Sequence, residues 1–163
     1  MGVMILLMGL AWAAAEETPD GATGCVWVMC KPGSYVNVRY KARKTGAVIG
    51  RVECGEKLWT DGKVNGQFLH LVGLTMESGD GWIRRGYVVE DEPAILAGEA
   101  NGGRGERYLV NALGRVALRR TVNGARRAWA KSGSNLRVLV MSDTWSLTNR
   151  GFIRTEFLEA DPE

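Results

Sequence analysis

One strand motif occurs twice in this chain, and its repetition constrains the fold more than any other feature. Val36-Asn37-Val38-Arg39 returns as Val116-Ala117-Leu118-Arg119. Each alternates apolar residues with others, the period of a half-buried strand. The first copy closes with Gly81-Trp82-Ile83-Arg84-Arg85-Gly86-Tyr87, the second with Gly151-Phe152-Ile153-Arg154-Thr155-Glu156-Phe157. Between these ends, Gly46-Ala47 aligns with Gly124-Ala125, Gly55 with Gly133 and Leu58 with Leu136. Matching blocks in the same order mean one unit used twice.

The first copy resembles the bacterial SH3 (SH3b) module. It has a strand ending in Asn37-Val38-Arg39, a Val48-Ile49-Gly50 strand before the Gly55-Glu56 turn, and a closing Gly81-Trp82-Ile83 strand. The second copy departs from the pattern, with Ala117 in place of the Asn and Phe152 in place of the Trp. The likeness covers residues 26–92 and 107–160. It implies an all-β chain, two small SH3-like antiparallel barrels in tandem, that binds cell-wall or protein ligands without cofactor or catalysis of its own.

The chain has 163 residues, room for one ordinary domain or two small ones. A module of about 60 residues buries only about 60% of its unfolded surface, so two copies gain by packing together. The net charge of +3 hides an asymmetry. From Arg104 to Arg137 nine basic residues face a single acid, Glu106, whereas the first copy is balanced. A one-sided field attracts anionic partners, although a solvated basic face serves solubility equally well.

Residues 1–15 read as a secretory signal peptide: a short apolar run, then Ala13-Ala14-Ala15 before a polar linker at 16–24. No Lys or Arg precedes the run, which is atypical, and the run is too short to span a bilayer, so no transmembrane anchor is expected. The linker and the distance from the apolar run exclude Ala22-Thr23-Gly24-Cys25 as a lipidation site. Domain 1 then occupies 25–92, a flexible linker 93–106, and domain 2 107–160, with Asp161-Pro162-Glu163 a frayed tail.

Cys25 to Cys30 reads as one strand, with its two cysteines about 16 Å apart, too far for a disulfide. A bond from either to Cys54 stays open, three cysteines leave one unpaired in any case, and buried free thiols are the favoured reading. No metal signature exists, since there is no CxxC and His70 is the single histidine. Asp61-Gly62 reads as a tight turn. Along 67–72, Phe68, His70 and Val72 share one face and Leu69 and Leu71 the other. Leu136, Val138 and Val140 are expected in the core of the second copy.

A Cys–His hydrolase is disfavoured because no cysteine opens a helical segment and the repeats leave no room for a catalytic domain. No Gly-Lys-Ser/Thr sequence follows a strand, which excludes a phosphate loop. Binding remains. Aromatic faces stack on sugars or peptide groups at low entropic cost. Tyr40, Arg43, Trp59 and Phe68 are the candidates in the first copy; Trp82 and Tyr87 are expected to fill core instead. In the second copy the candidates are Arg119, Arg120, Arg126, Arg127, Trp129 and Trp145, the arginines suited to bidentate carboxylate or phosphate recognition. The sequence therefore predicts a secreted or envelope-located tandem SH3b protein that binds a peptidoglycan peptide or an anionic wall polymer. The alternative is a protein–protein interaction adaptor of the kind a prophage carries. Nucleic acid is disfavoured, because the first copy shares no basic excess.

Overall fold

A computed structural model describes residues 17–99 and 102–162; the expected signal peptide lies outside them. The described chain is all-β and forms two antiparallel sheets. The first sheet comprises β1 (Gly24–Val28), β2 (Tyr35–Arg39), β3 (Val48–Glu53), β4 (Lys57–Asn65), β5 (Phe68–Val72), β6 (Asp80–Arg84) and β7 (Val88–Val89). The two-residue strand β8 (Ala94–Ile95) follows. The second sheet comprises β9 (Glu106–Val110), β10 (Arg115–Arg119), β11 (Arg126–Lys131), β12 (Asn135–Met141), β13 (Trp145–Thr148), β14 (Gly151–Arg154) and β15 (Leu158–Ala160).

The strand orders, β3-β2-β6-β5-β4-β1-β7 and β11-β10-β14-β13-β12-β9-β15, correspond one to one. The duplication extends to individual hydrogen bonds. Gly55 N–H donates to the Val28 carbonyl and Gly133 N–H to that of Val110; Met29 N–H donates to Tyr87 and Asn111 N–H to Phe157. The last arginine of the repeated motif closes the following loop in both copies: Arg39 Nη1 donates to the Gly46 carbonyl and Arg119 Nη1 to that of Gly124, each at 2.8 Å.

Alternation places the cores as expected. Val36, Val38, Leu69, Leu71 and Ile83 are buried in the first module, and Val116, Leu118, Leu136 and Ile153 in the second. Leu136, Val138 and Val140 are each at most 1% exposed.

Three local readings change. Asp61-Gly62 is not the turn: β4 runs on to Asn65 through a register shift between Thr60 and Val64, and the hairpin closes at Gly66-Gln67, where Gly66 has φ +57°. Thr60 holds the irregularity, its Oγ1 donating to the His70 carbonyl at 2.6 Å and accepting from Gly62 N–H at 3.0 Å. The expected flexible linker begins with β8, which pairs Ile95 with Val140 and Ala94 with Met141. Asp161, expected to fray, is tied to Arg107 at 3.2 Å with its side chain only 15% exposed.

A third apolar cluster joins the modules. Met29, Val89 and Trp27 from the first pack against Val122, Val140, Trp145, Leu147 and Phe152 from the second. Around it, Val122 N–H donates to the Gly86 carbonyl at 3.0 Å. Asp91 accepts from Thr144 Oγ1 at 3.1 Å and from the Asp143 amide. The contact is head to tail. Leu147 and Phe152 pair across β13–β14 as His70 and Trp82 pair across β5–β6, so the second module docks with the face that the first leaves outward. The second module's counterpart of the Met29 and Val89 socket carries Asn111 hydrogen-bonded to Glu159 at 2.9 Å, a polar surface.

Candidate functional site

The junction leaves a groove of about 500 Å³ beside the apolar cluster. Its first-module wall is the outer face of β2 and the chain around it, and Leu147 and Phe152 of the second module close it. Because Val36 and Val38 point inward, the intervening Tyr35, Asn37 and Arg39 are left on the other face of β2. Lys31, Lys44 and Arg84 complete a lining with four basic groups and no carboxylate. Arg84 is steadied by Gln67 Oε1, which accepts from its Nη2 at 3.1 Å. Tyr35, Phe68, Tyr87 and Phe152 are the aromatic walls. Tyr35 is 52% exposed, with the Arg51 guanidinium 4.3 Å from its ring centroid.

Within this lining, Asn37 Oδ1 is fully enclosed, and no group among the described residues donates to it. An enclosed acceptor left without a donor costs about 1–3 kcal/mol. The groove thus offers positive charge and flat apolar walls.

Cys30 also lines the groove. Its amide donates to Cys54 Sγ at 3.4 Å, and Cys54 Sγ donates to the Cys30 carbonyl at 2.6 Å. Hydrogen bonding from Cys54, helped by Ser34 and opposed by burial, lowers the Cys30 thiol to about 7. The same contact with Cys30, together with burial, raises the Cys54 thiol, so Cys30 ionises first. All three cysteines are free thiols.

Of the binding candidates named from the sequence, the groove takes Phe68, which is 6% exposed. Tyr40 is 59% exposed, but it lies on the loop side of β2, and Arg43 is exposed in that loop. Trp59 is half-buried on β4 under the Lys57 ammonium, 4.6 Å from its ring centroid. In the second module Arg126 lies 4.7 Å over Trp129, which is 44% exposed on the edge strand β11, with Arg120 and Arg127 exposed nearby in sequence. Arg119 Nη1 closes its own loop, as Arg39 Nη1 does in the first module. One candidate is corrected. Trp145 is 4% exposed, packed in the junction and covered by Arg154 at 4.7 Å, so it presents no face to a ligand. Trp82 and Tyr87, expected in the core, are half-buried instead, Tyr87 in the groove.

On the outward face, His70 Nδ1 lies 3.0 Å from Asp61 Oδ2 and its Nε2 lies 3.5 Å from Asp80 Oδ2. Its ring meets Trp82 at 4.7 Å. Both ring nitrogens thus face carboxylates and neither faces a thiol. Asp61 also pairs with Lys63 at 2.7 Å. Among the described residues no cluster of His, Cys, Asp or Glu is arranged to hold a metal ion, and no helix is long and apolar enough to cross a membrane.

No protein-family model matches the chain, and no curated protein does. Among solved structures it is similar to NlpC1 from Trichomonas vaginalis, with 13% identity and a TM-score of 0.34 over 91% of this chain and 49% of that one. NlpC2 from the same organism gives 12% identity and a TM-score of 0.33 over 85% and 48%. The chain spans about half the length of each.

Proposed function

We propose that this chain is an exported, non-catalytic tandem SH3b protein whose junction groove binds a cell-envelope ligand. The observation that carries the reading is the composition of the groove, four basic groups and four aromatic rings with no acid. Cationic groups select an anion, and flat rings accept peptide planes or sugar faces. Within that class a wall peptide, which brings a carboxylate together with flat amide planes, and an anionic wall polymer both match the lining. The outward His70 serves structure in this reading, since carboxylates hold both its nitrogens.

Retention on purified cell walls tests the proposal. The folded protein should be retained at low salt and released as salt rises, because exposed charge contacts are screened. The charge-reversal pair Lys44→Glu with Arg84→Glu should weaken retention about tenfold or more, the equivalent of about 1.4 kcal/mol. Absence of retention at low salt, or retention indifferent to the pair, removes the reading.

A second reading, a protein–protein adaptor, is favoured by Trp129, exposed beneath Arg126 on the edge strand of the second sheet. It predicts a single protein partner, lost on Trp129→Ala, and no affinity for wall material.

A further inference from the structure

The thiol pair at the groove lies outside the reading above and stands independently of what the groove binds. Cys30 follows β1 and Cys54 follows β3, and the main chain locks these segments side by side. Gly55 N–H donates to the Val28 carbonyl at 2.7 Å and Val28 N–H to that of Glu56 at 2.9 Å. Cys54 Sγ therefore sits against the backbone of Cys30, at 3.4 Å from its nitrogen and 2.6 Å from its oxygen. One thiol thus lies against the backbone of the residue that carries the other. They differ in surroundings. Cys30 lines the cavity, which its neighbour Lys31 and also Arg39, Lys44 and Arg84 make positive. Cys54, half-buried, packs against both the first-module core, to which the 6%-exposed Cys30 belongs, and the junction cluster, and it is absent from the cavity lining. Cys25, on β1 opposite Trp59, is remote from the pair in register.

From this arrangement we infer that Cys30 is a thiol–disulfide exchange site for small anionic disulfides entering the junction groove, with Cys54 as its resolving partner. Cys30, as the thiolate, attacks one sulfur of the disulfide RSSR. One S–S bond breaks, the mixed disulfide Cys30–S–S–R forms, and RS⁻ leaves and takes up a proton. Cys54 Sγ then attacks Cys30 Sγ. It gives up its proton to the departing RS⁻, and a Cys30–Cys54 disulfide forms. In sum, two protein thiols are oxidised and one RSSR is reduced to two RSH. The basic lining raises the local concentration of an anionic disulfide. The lowered Cys30 thiol is half ionised near neutrality, which supplies the attacking form.

Oxidised glutathione is the probe, because it is a small disulfide carrying several carboxylates. The reduced full chain, incubated with it at pH 7 and alkylated, is followed by intact mass and peptide mapping. The expected product has lost two hydrogens and carries the Cys30–Cys54 link with Cys25 still alkylated. Cys54→Ser should accumulate one glutathione on Cys30. Cys30→Ser should slow the modification of Cys54 about tenfold or more. Cystamine, a cationic disulfide of similar reactivity, should react several-fold more slowly with Cys30, and that preference should fade at high salt. Circular dichroism of each variant separates loss of reaction from loss of fold. Modification confined to Cys25, equal rates with the anionic and cationic disulfides, or a folded Cys54→Ser variant that gains no adduct overturns the inference. None of these results depends on wall binding, so they leave the function proposed for the groove to its own test.

Discussion

Gly86 lies where the modules meet, and a methyl group there has nowhere to go. A Cβ built on it would sit 2.7 Å from both Cβ and Oγ1 of Thr121 and 3.3 Å from Thr121 Cγ2. Its φ lies outside the left-handed region, so alanine meets no dihedral penalty and the whole effect is steric. Thr121 cannot retreat, because Gly124 is packed against its other side closely enough that a Cβ there would lie 2.1 Å from Thr121 Oγ1. The next residue, Val122, is buried in the junction cluster and hydrogen-bonded to the Gly86 carbonyl. Relief must therefore come from separating the modules. Overpacking of this kind costs about 1–3 kcal/mol. For Gly86→Ala we expect about 2 kcal/mol, which for a chain of this size lowers Tm by roughly 4–8 °C. Thermal unfolding should be followed by tryptophan fluorescence, to which Trp27 and Trp145 in the junction contribute two of the six tryptophans, and by far-ultraviolet circular dichroism. The fluorescence transition should move below the dichroism transition as the modules uncouple. Thr121→Gly in the same chain should recover at least half of the loss. Gly98→Ala, with nothing within 4 Å of the added Cβ, should change stability by less than about 0.5 kcal/mol. A Gly86→Ala protein that melts as the parent does, or one that Thr121→Gly fails to rescue, would refute the rigid junction.

Other expectations follow from single contacts. Burial works against the charged form of Asp61, but hydrogen bonds from Lys63 and His70 outweigh it and hold the carboxyl at about 2. Its stabilising effect is therefore complete above the unfolded value near 3.8 and is lost as pH falls through about 2. Asp61→Asn should flatten denaturant midpoints measured between pH 4 and pH 2 relative to the parent, and an unchanged slope would count against the ion-pair geometry. Gly105 has φ +76°, and an added Cβ would lie 2.1 Å from the Val138 carbonyl oxygen. Gly105→Ala should cost about 3 kcal/mol in urea unfolding, combining dihedral strain with a broken approach of β9 to β12. Thr60→Val keeps the shape but removes both hydrogen bonds at the β4 irregularity. A loss of about 1–3 kcal/mol is expected, with faster amide exchange at Gly62 as the direct readout.

The repeat itself was open to reading because its signals are local. Alternation along Val36–Arg39 and Val116–Arg119 and the paired glycines are properties of neighbouring residues, and the strands follow them. The same holds for Leu136, Val138 and Val140, whose period points them inward. Most of the readings that changed depended on partners distant in sequence. Trp145 has the composition of an exposed binding aromatic until the other module covers it. Ala94-Ile95 is too short to announce a strand, and β12 supplies its pairing. Asp61-Gly62 has turn chemistry, but the hydrogen bonds of Thr60 draw the same dipeptide into a bulge.

What the sequence determined alone was the unit and its use twice: hydrophobic period and turn glycines are short-range instructions. What the tertiary structure decided was which outward face of each unit stays outward. Met29, Val89, Leu147 and Phe152 carry no mark distinguishing module core from module junction, since burial by either satisfies an apolar side chain equally. The groove closes only because Leu147 and Phe152 of the second module meet the first-module wall that carries its four basic groups. A cavity between units is a property of their relative placement, which no local pattern encodes.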